Sequence, residues 1–337
     1  MASKGVFRLT IAALVLAVIV VVLGAFTRLA DAGLGCPDWP GCYGHLLWPD
    51  EVGEIARADA AYPDAPVDVD KTWPEMVHRY FAGTLLLVVM LITFTVWRNA
   101  PPNNIKQLSA ALLILIICQA AFGAWTVTLK LWPQIVTTHL LGGFATFSLL
   151  WTMFLRQGGG QKLWLTYVDR DSISRHGKFA LVVVIGQIAL GGWVSSNYAA
   201  LACADFPTCY GSFTPAMDLV EGFNVFQALG PNYLGGLLDN EARVAVHWVH
   251  RIGALVTLVV VGMLASRLIA RNTILACLVV GLLALQVTLG VLNVVWSLPL
   301  PIATAHNGVG ALLLLAMVTI NFAPPREQAQ TDGYCDE

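Results

Sequence analysis

Apolar residues run along this chain in stretches too long for the buried stripe of a soluble helix. Eight of them, about 9–27, 77–97, 109–129, 136–155, 179–199, 244–265, 273–293 and 303–322, come close to the roughly 20 residues that cross a bilayer as an α-helix. The pattern predicts an all-α integral membrane protein with eight transmembrane helices. The first stretch reads as a retained helix. Its apolar run exceeds a signal-peptide core, and Arg28-Leu29-Ala30-Asp31 follows without a small-residue cleavage site.

The polar segments between these stretches differ in sign. With the N-terminus inside, the inside segments carry Lys4, Arg8, Arg98, Lys106, Arg156, Lys162, Arg170, Arg175, Lys178, Arg267, Arg271 and Arg326, most of the 19 basic residues. Two long segments, about 28–76 and 200–243, are acidic instead, with Asp50, Glu51, Glu54, Asp59, Asp64, Asp68 and Asp70 in one and Asp218, Glu221, Asp239 and Glu241 in the other. The bias of Lys and Arg toward the cytoplasm predicts both termini inside and both long loops outside.

Composition narrows the class. Hydrophobic residues make up 57% of the 337 and charged residues only 12%, against about a quarter in soluble domains; mean hydropathy is +0.69. A chain with eight spans is no single-span receptor. Its net charge of -2 offers no field for nucleic acid.

An internal repeat sets the architecture. Cys36-Pro-Asp-Trp-Pro-Gly-Cys42-Tyr-Gly returns as Cys203-Ala-Asp-Phe-Pro-Thr-Cys209-Tyr-Gly at an offset of 167. The same offset carries Gly24 onto Gly191, Gln119 onto Gln286, Gly123 onto Gly290 and His139 onto His306. Val77-His78-Arg79 returns as Val249-His250-Arg251 at an offset of 172. Each half holds four spans, so the halves enter the membrane in the same direction, as two parallel-repeat four-helix bundles. The expected division is 1–156, a cytoplasmic linker 157–178, and 179–337.

The repeat places four histidines, His78, His139, His250 and His306, at one end of the spans. An ionisable group in a membrane costs free energy and marks a functional candidate. Haem iron takes imidazoles axially, and bundles hold such side chains in their cores, so one bis-histidine haem per half is the functional reading. A hydrogen-bonded core histidine is the plain alternative for any one of the four, and a weaker one for four in matched positions. Zinc lacks a compact third and fourth ligand. His45 and His176 read as solvated. His247, three residues before His250, is either a support for it or a loop-edge polar residue.

Glu75 occupies the place before His78 that His247 occupies before His250. It is either a proton-handling carboxylate or an acid favoured by a helix N-terminus. Arg79 and Arg251 could bind haem propionates bidentately or snorkel to headgroups. Gly83, Gly142, Gly143, Gly308 and Gly310 allow close approach of helices or of a porphyrin. Among the three pairings open to Cys36, Cys42, Cys203 and Cys209, Cys36–Cys42 with Cys203–Cys209 keeps each loop self-contained; a metal site is the alternative. Cys118 and Cys277 read as small core residues, and Cys335 as part of a polar tail.

Taken together, the paired cysteine loops, Glu75-Met-Val-His78-Arg79, the Thr-Thr-His-Leu-Leu-Gly-Gly around His139, His250-Arg251 and Ala-His306-Asn resemble the heme A synthase family over nearly the entire chain. The resemblance implies an oxidoreductase of a bacterial inner membrane that oxidises the C8 methyl of heme O stepwise to the formyl group of heme A. It implies substrate haem between His78 and His139, haem b between His250 and His306, Glu75 as the essential acid and a Cys36–Cys42 disulfide. It also implies exchange of heme O and heme A with a heme O synthase and an assembling terminal oxidase. Spacing alone reaches two haem sites and one asymmetric acid. A di-haem cytochrome passing electrons from quinol would use the same histidines without that acid, and a transporter would carry its polar residues near the midplane.

Overall fold

A backbone in hydrocarbon must satisfy its own N–H and C=O groups, and a helix does so within one segment. The computed structural model describes residues 4–99, 103–159 and 170–322, and every regular element among them is helical. Eight of these helices are long and apolar enough to cross a membrane. They are α1 (Lys4–Leu29), α3 (Val69–Arg98), α4 (Asn103–Thr128), α5 (Pro133–Arg156), α6 (Arg170–Ser196), α8 (Asn240–Ile269), α9 (Thr273–Val295) and α10 (Leu300–Phe322); α2 (Val52–Ala61) and the single turn α7 (Leu219–Gly222) lie in the long loops. The chain is a multi-pass membrane protein.

The helices outrun the apolar stretches because hydropathy marks the hydrocarbon, not the hydrogen-bond ladder. α3 begins eight residues before its stretch, and its first turns carry Asp70, Lys71 and Glu75. α6 begins at Arg170, within the segment expected to link the halves, of which 160–169 lies outside the described residues, as do Arg326 and Cys335. The short helix α2 stayed unseen in the sequence because its acidic, alanine-rich run is too short and polar to span. Local signals set other boundaries. Pro133 occupies the first turn of α5, where its missing N–H costs nothing, and Asn272 caps α9 by accepting the Leu275 N–H at 2.9 Å.

Packing follows the chain within each set of four. α1 packs on α3 and α5, and α4 on the same two, closing a ring; α6, α8, α9 and α10 form the matching ring. The rings meet through α1, α5, α6 and α10. There the Trp151 indole donates to the Thr319 hydroxyl at 2.8 Å, and the Thr137 and Ser196 hydroxyls lie 3.1 Å apart. Leu150, Met153, Leu268 and Met317 belong to one continuous buried core. Val15, Leu87, Phe94, Ile114, Val182 and Leu255 are exposed on the outer surface, which lipid tails solvate at no cost. Cys118 and Cys277 are exposed too. They belong to this lipid-facing surface and not to the core the sequence suggested, since a small apolar group satisfies either environment.

The repeat extends into backbone detail that residue identity does not reveal. Left-handed φ occurs at Asp31 and Tyr198, Lys130 and Ser297, Leu131 and Leu298, and Tyr43 and Tyr210, each pair 167 apart. At Asp31 and Tyr198, and at Lys130 and Ser297, unlike side chains adopt the same unfavourable conformation because matched turns have to close in the same way.

Candidate functional site

Each long loop starts from a disulfide ring with a sequence separation of 6, Cys36–Cys42 and Cys203–Cys209, buried at both ends. An aspartate organises each ring from within. Asp38 accepts the N–H groups of Tyr43 and Gly44 at 2.6 and 2.8 Å; Asp205 accepts those of Tyr210 and Gly211 at 2.7 and 2.9 Å. Asp205 also takes the Thr208 hydroxyl at 2.5 Å. That hydroxyl, followed by the Gly211 N–H, holds the Asp205 carboxyl down at about 2.

The rings are fastened to the helices below by one side chain each. Glu75, on α3 and 4% exposed, accepts the Cys36 N–H at 3.0 Å and pairs with Arg79 at 2.5 Å. His247, on α8 and 5% exposed, sets Nδ1 3.3 Å from the Cys203 backbone N and Nε2 3.1 Å from the Arg251 Nε; as a neutral imidazole it accepts from one of these N–H groups and carries its own proton on the other nitrogen. The arginines complete the fastening. Arg79 donates to the carbonyls of Asp38, Pro40 and Gly41, and Arg251 to those of Thr208 and Cys203 at 2.8 Å each. A carboxylate and an imidazole thus do the same mechanical task, one turn before His78 and His250. His247 therefore contacts the second cysteine ring and Arg251 rather than His250, the residue the sequence suggested it supports.

Below the rings lie the four histidines, on α3, α5, α8 and α10. Each ring rests against a glycine of a neighbouring helix. A methyl group at Gly24 would lie 2.9 Å from Cε1 of His78, at Gly123 3.5 Å from His139, at Gly191 3.3 Å from His250 and at Gly290 3.1 Å from His306. At Gly24, Gly191 and Gly290 a methyl would press on the imidazole, so these glycines let the rings approach the adjacent helices, whereas at Gly123 it would make ordinary van der Waals contact. Gly142 is filled from across by the Gln119 amide, whereas Gly143 and Gly308 meet no atom within 4 Å of a methyl position.

Two amides beside these histidines complete the site. Gln286 Nε2 lies 3.2 Å from Nε2 of His306, and Gln187 Nε2 lies 3.1 Å from Nδ1 of His250. Gln286 is legible in the sequence as a repeat match. Gln187 is not: its counterpart is Val20, and its signal is that of a lone polar residue in an apolar span. The Nδ1 atoms of His78, His139 and His306 are buried without a hydrogen-bond partner. Paired imidazoles with unengaged nitrogens, beside small residues that leave room for a flat ring, fit a bis-histidine haem. No three His, Cys, Asp or Glu side chains converge as a metal-binding group among the described residues.

The remaining histidines lie apart. His45 exchanges two backbone hydrogen bonds with Cys42, at 3.0 and 2.9 Å. His176, near the start of α6, contacts the Arg267 guanidinium on α8, its Nδ1 at 2.8 Å. The second long loop reaches across to the first ring of helices. Trp132 donates to the Gln227 carbonyl at 3.2 Å and Gln134 to that of Val225 at 2.9 Å, while the Tyr233 N–H donates to Lys130 at 3.0 Å. These bonds fix the turn from which α5 carries His139.

Comparison with known proteins agrees with this layout. A family model described as cytochrome oxidase assembly protein, COX15-CtaA, matches residues 7–318. The chain is 46% identical over 311 residues to a heme A synthase of Shewanella oneidensis, covering 92% of this chain and 93% of the relative. It is 30% identical over 336 residues to a heme A synthase of Caulobacter vibrioides, covering 92% of each. A match spanning both cysteine rings and all four histidine-bearing helices leaves no part of the site outside it, and the chain belongs to the COX15-CtaA family of cytochrome oxidase assembly proteins.

Proposed function

We propose that this protein is a heme A synthase, an oxidoreductase that converts heme O to heme A by stepwise oxidation of the C8 methyl to a formyl group. It would work in a bacterial inner membrane with both termini cytoplasmic and the cysteine rings outside. The observation that carries the reading is the near-full-length identity to the Shewanella enzyme. In this reading residues 1–156 receive heme O between His78 and His139, 157–178 link the halves, and 179–337 hold haem b between His250 and His306. A haem b bound there supplies one-electron relay.

The chain's own groups do the rest. The glycine contacts set each imidazole against its neighbouring helix, so the ring plane is fixed before any haem arrives. Oxidation of a methyl to a formyl group, with water as the oxygen source, passes electrons to an acceptor and releases protons with them. Glu75, one turn from His78, is the group placed to take those protons. Its bonds to Cys36 and Arg79 point both carboxylate oxygens at fixed partners, and a proton transfer would exchange one of those bonds. Arg79 and Arg251 stand at the same level as propionate anchors, their guanidinium planes already oriented by loop carbonyls.

Expression in a bacterium that makes heme O but no heme A tests the reading. Heme A should appear in the extracted pigments, and the purified protein should carry a haem b chemically distinct from its substrate. Two identical haems and no heme A would instead identify a di-haem cytochrome.

A further inference from the structure

His250 differs from the other three histidines in having its Nδ1 held by a side chain. Resting on the reading that His250 ligates haem b, we infer that Gln187 is a positioning residue that fixes the His250 ring and strengthens it as an axial ligand, so that the second half retains its haem while the first half exchanges its own. The Gln187 amide crosses from α6 and reaches both Nδ1 and the backbone carbonyl of His250, each at 3.1 Å. Nε2, the nitrogen that can face iron, is left outside this contact.

The comparison between halves shows how the contact is made. The position matching Gln187 is Val20, whose backbone carbonyl and not a side chain reaches the His78 ring, and Nδ1 of His78 has no partner. The position matching Gly253 is Phe81. A methyl group at Gly253 would lie 2.3 Å from Oε1 of Gln187, so the glycine makes the space that the amide fills. Two matched positions thus differ together, one supplying the amide and the other its room. Oε1 of Gln187 is itself buried and without a partner.

That unpartnered oxygen has a use once Nε2 binds iron. A ligating imidazole carries its proton on Nδ1, and the proton needs an acceptor. The two ends of an amide exchange by a half-turn, which presents Oε1 to Nδ1. The bond to the His250 carbonyl, 3.1 Å from the amide nitrogen, is given up, and the amide turns off that carbonyl so that Oε1 does not face another acceptor; the helix itself pairs the carbonyl. A hydrogen bond to Nδ1–H makes the ring a stronger donor, which favours ferric iron and slows loss of the haem. Outer partners of this kind change metal affinity by roughly 10–100-fold.

The test compares full-length wild type with Q187V, which copies the first half, and with Q187M, which keeps length and volume but has no amide. Haem b content, the rate of haem transfer to an excess of scavenging apoprotein, and the midpoint potential of the low-spin haem are read on each. Both variants should lose haem b about 10–100-fold faster and show a higher midpoint potential; loss of all haem b from helical, folded protein is the same result at its limit. Should Q187M match wild type in rate and potential, the amide only fills space and the inference is overturned. If valine prevents folding, Q187M alone carries the test. H250A separates the underlying reading: it should empty the second half, whereas a low-spin haem surviving there would show that His250 is no ligand and would remove both claims.

Discussion

At one end of α3, Glu75 joins the first cysteine ring to its helix; at the matching end of α8, His247 does the same for the second. Each lies within hydrogen-bonding distance of the N–H of the leading cysteine and of the arginine four residues on, and each is buried; the carboxylate accepts from both, the neutral imidazole from one. The fold therefore requires an acceptor at this position, and a neutral imidazole satisfies the requirement. The carboxylate in the first half is more than the mechanics ask for, and a buried acid is costlier than a buried imidazole. The difference points to chemistry in the half proposed to receive the substrate. A single half would not have shown this, since Glu75 alone looks fully explained by the bonds it makes.

The comparison can be broken most directly at the iron. In H306A the second half should lose its low-spin haem b entirely, while the first half still binds heme O from extracted pigment; unaltered haem b content would undo the division of labour.

Next in size, E75H copies the second half's solution and should keep the cysteine ring fastened. We expect haem b content near normal, accumulation of heme O and a fall in heme A of about 100-fold or more, the usual cost of a lost acid or base. E75Q should behave alike. Normal heme A output from either variant would reduce Glu75 to the mechanical role it shares with His247.

The arginines give a smaller, purely energetic contrast. R251A leaves loop carbonyls and a neutral imidazole without a donor, costing about 1–3 kcal/mol. R79A also strands a buried carboxylate and should cost about 3–5 kcal/mol. Thermal unfolding of the two variants side by side decides the order, and equal losses would mean that Glu75 is not held as an ion.

The smallest effect concerns pH. The Asp205 carboxyl sits at about 2, below its ordinary 3.8, chiefly because of the Thr208 hydroxyl. Its contribution to the second ring is present above the ordinary value and is lost as pH falls through about 2. Protease resistance of residues 203–212 should hold at pH 3, and D205N should lose resistance already at neutral pH.

Much of this was legible in the chain. Eight apolar stretches fixed the spans because hydrocarbon tolerates few alternatives. The repeat brought out the four histidines, the two cysteine pairs and the glycines that turned out to face the imidazoles. Glu75 and His247 stood out as an unequal pair, yet their common task was hidden, because it depends on where the Cys36 and Cys203 N–H groups point after each loop folds back. Helix ends were misplaced for a related reason: hydropathy stops at the membrane boundary while the hydrogen-bond ladder of α3 continues past it.

What the sequence determined by itself was class, span number, the internal symmetry and the residue types able to bind haem, all of which follow from periodicity and the cost of polar groups in lipid. The tertiary structure alone decided which acceptor holds which cysteine ring, that Cys118 and Cys277 face lipid, and that Gln187 rather than a residue of its own helix reaches His250. Those depend on the rotation of one helix against another, and an apolar residue or an isolated glutamine carries no mark of the direction it will face until the neighbouring helix is in place.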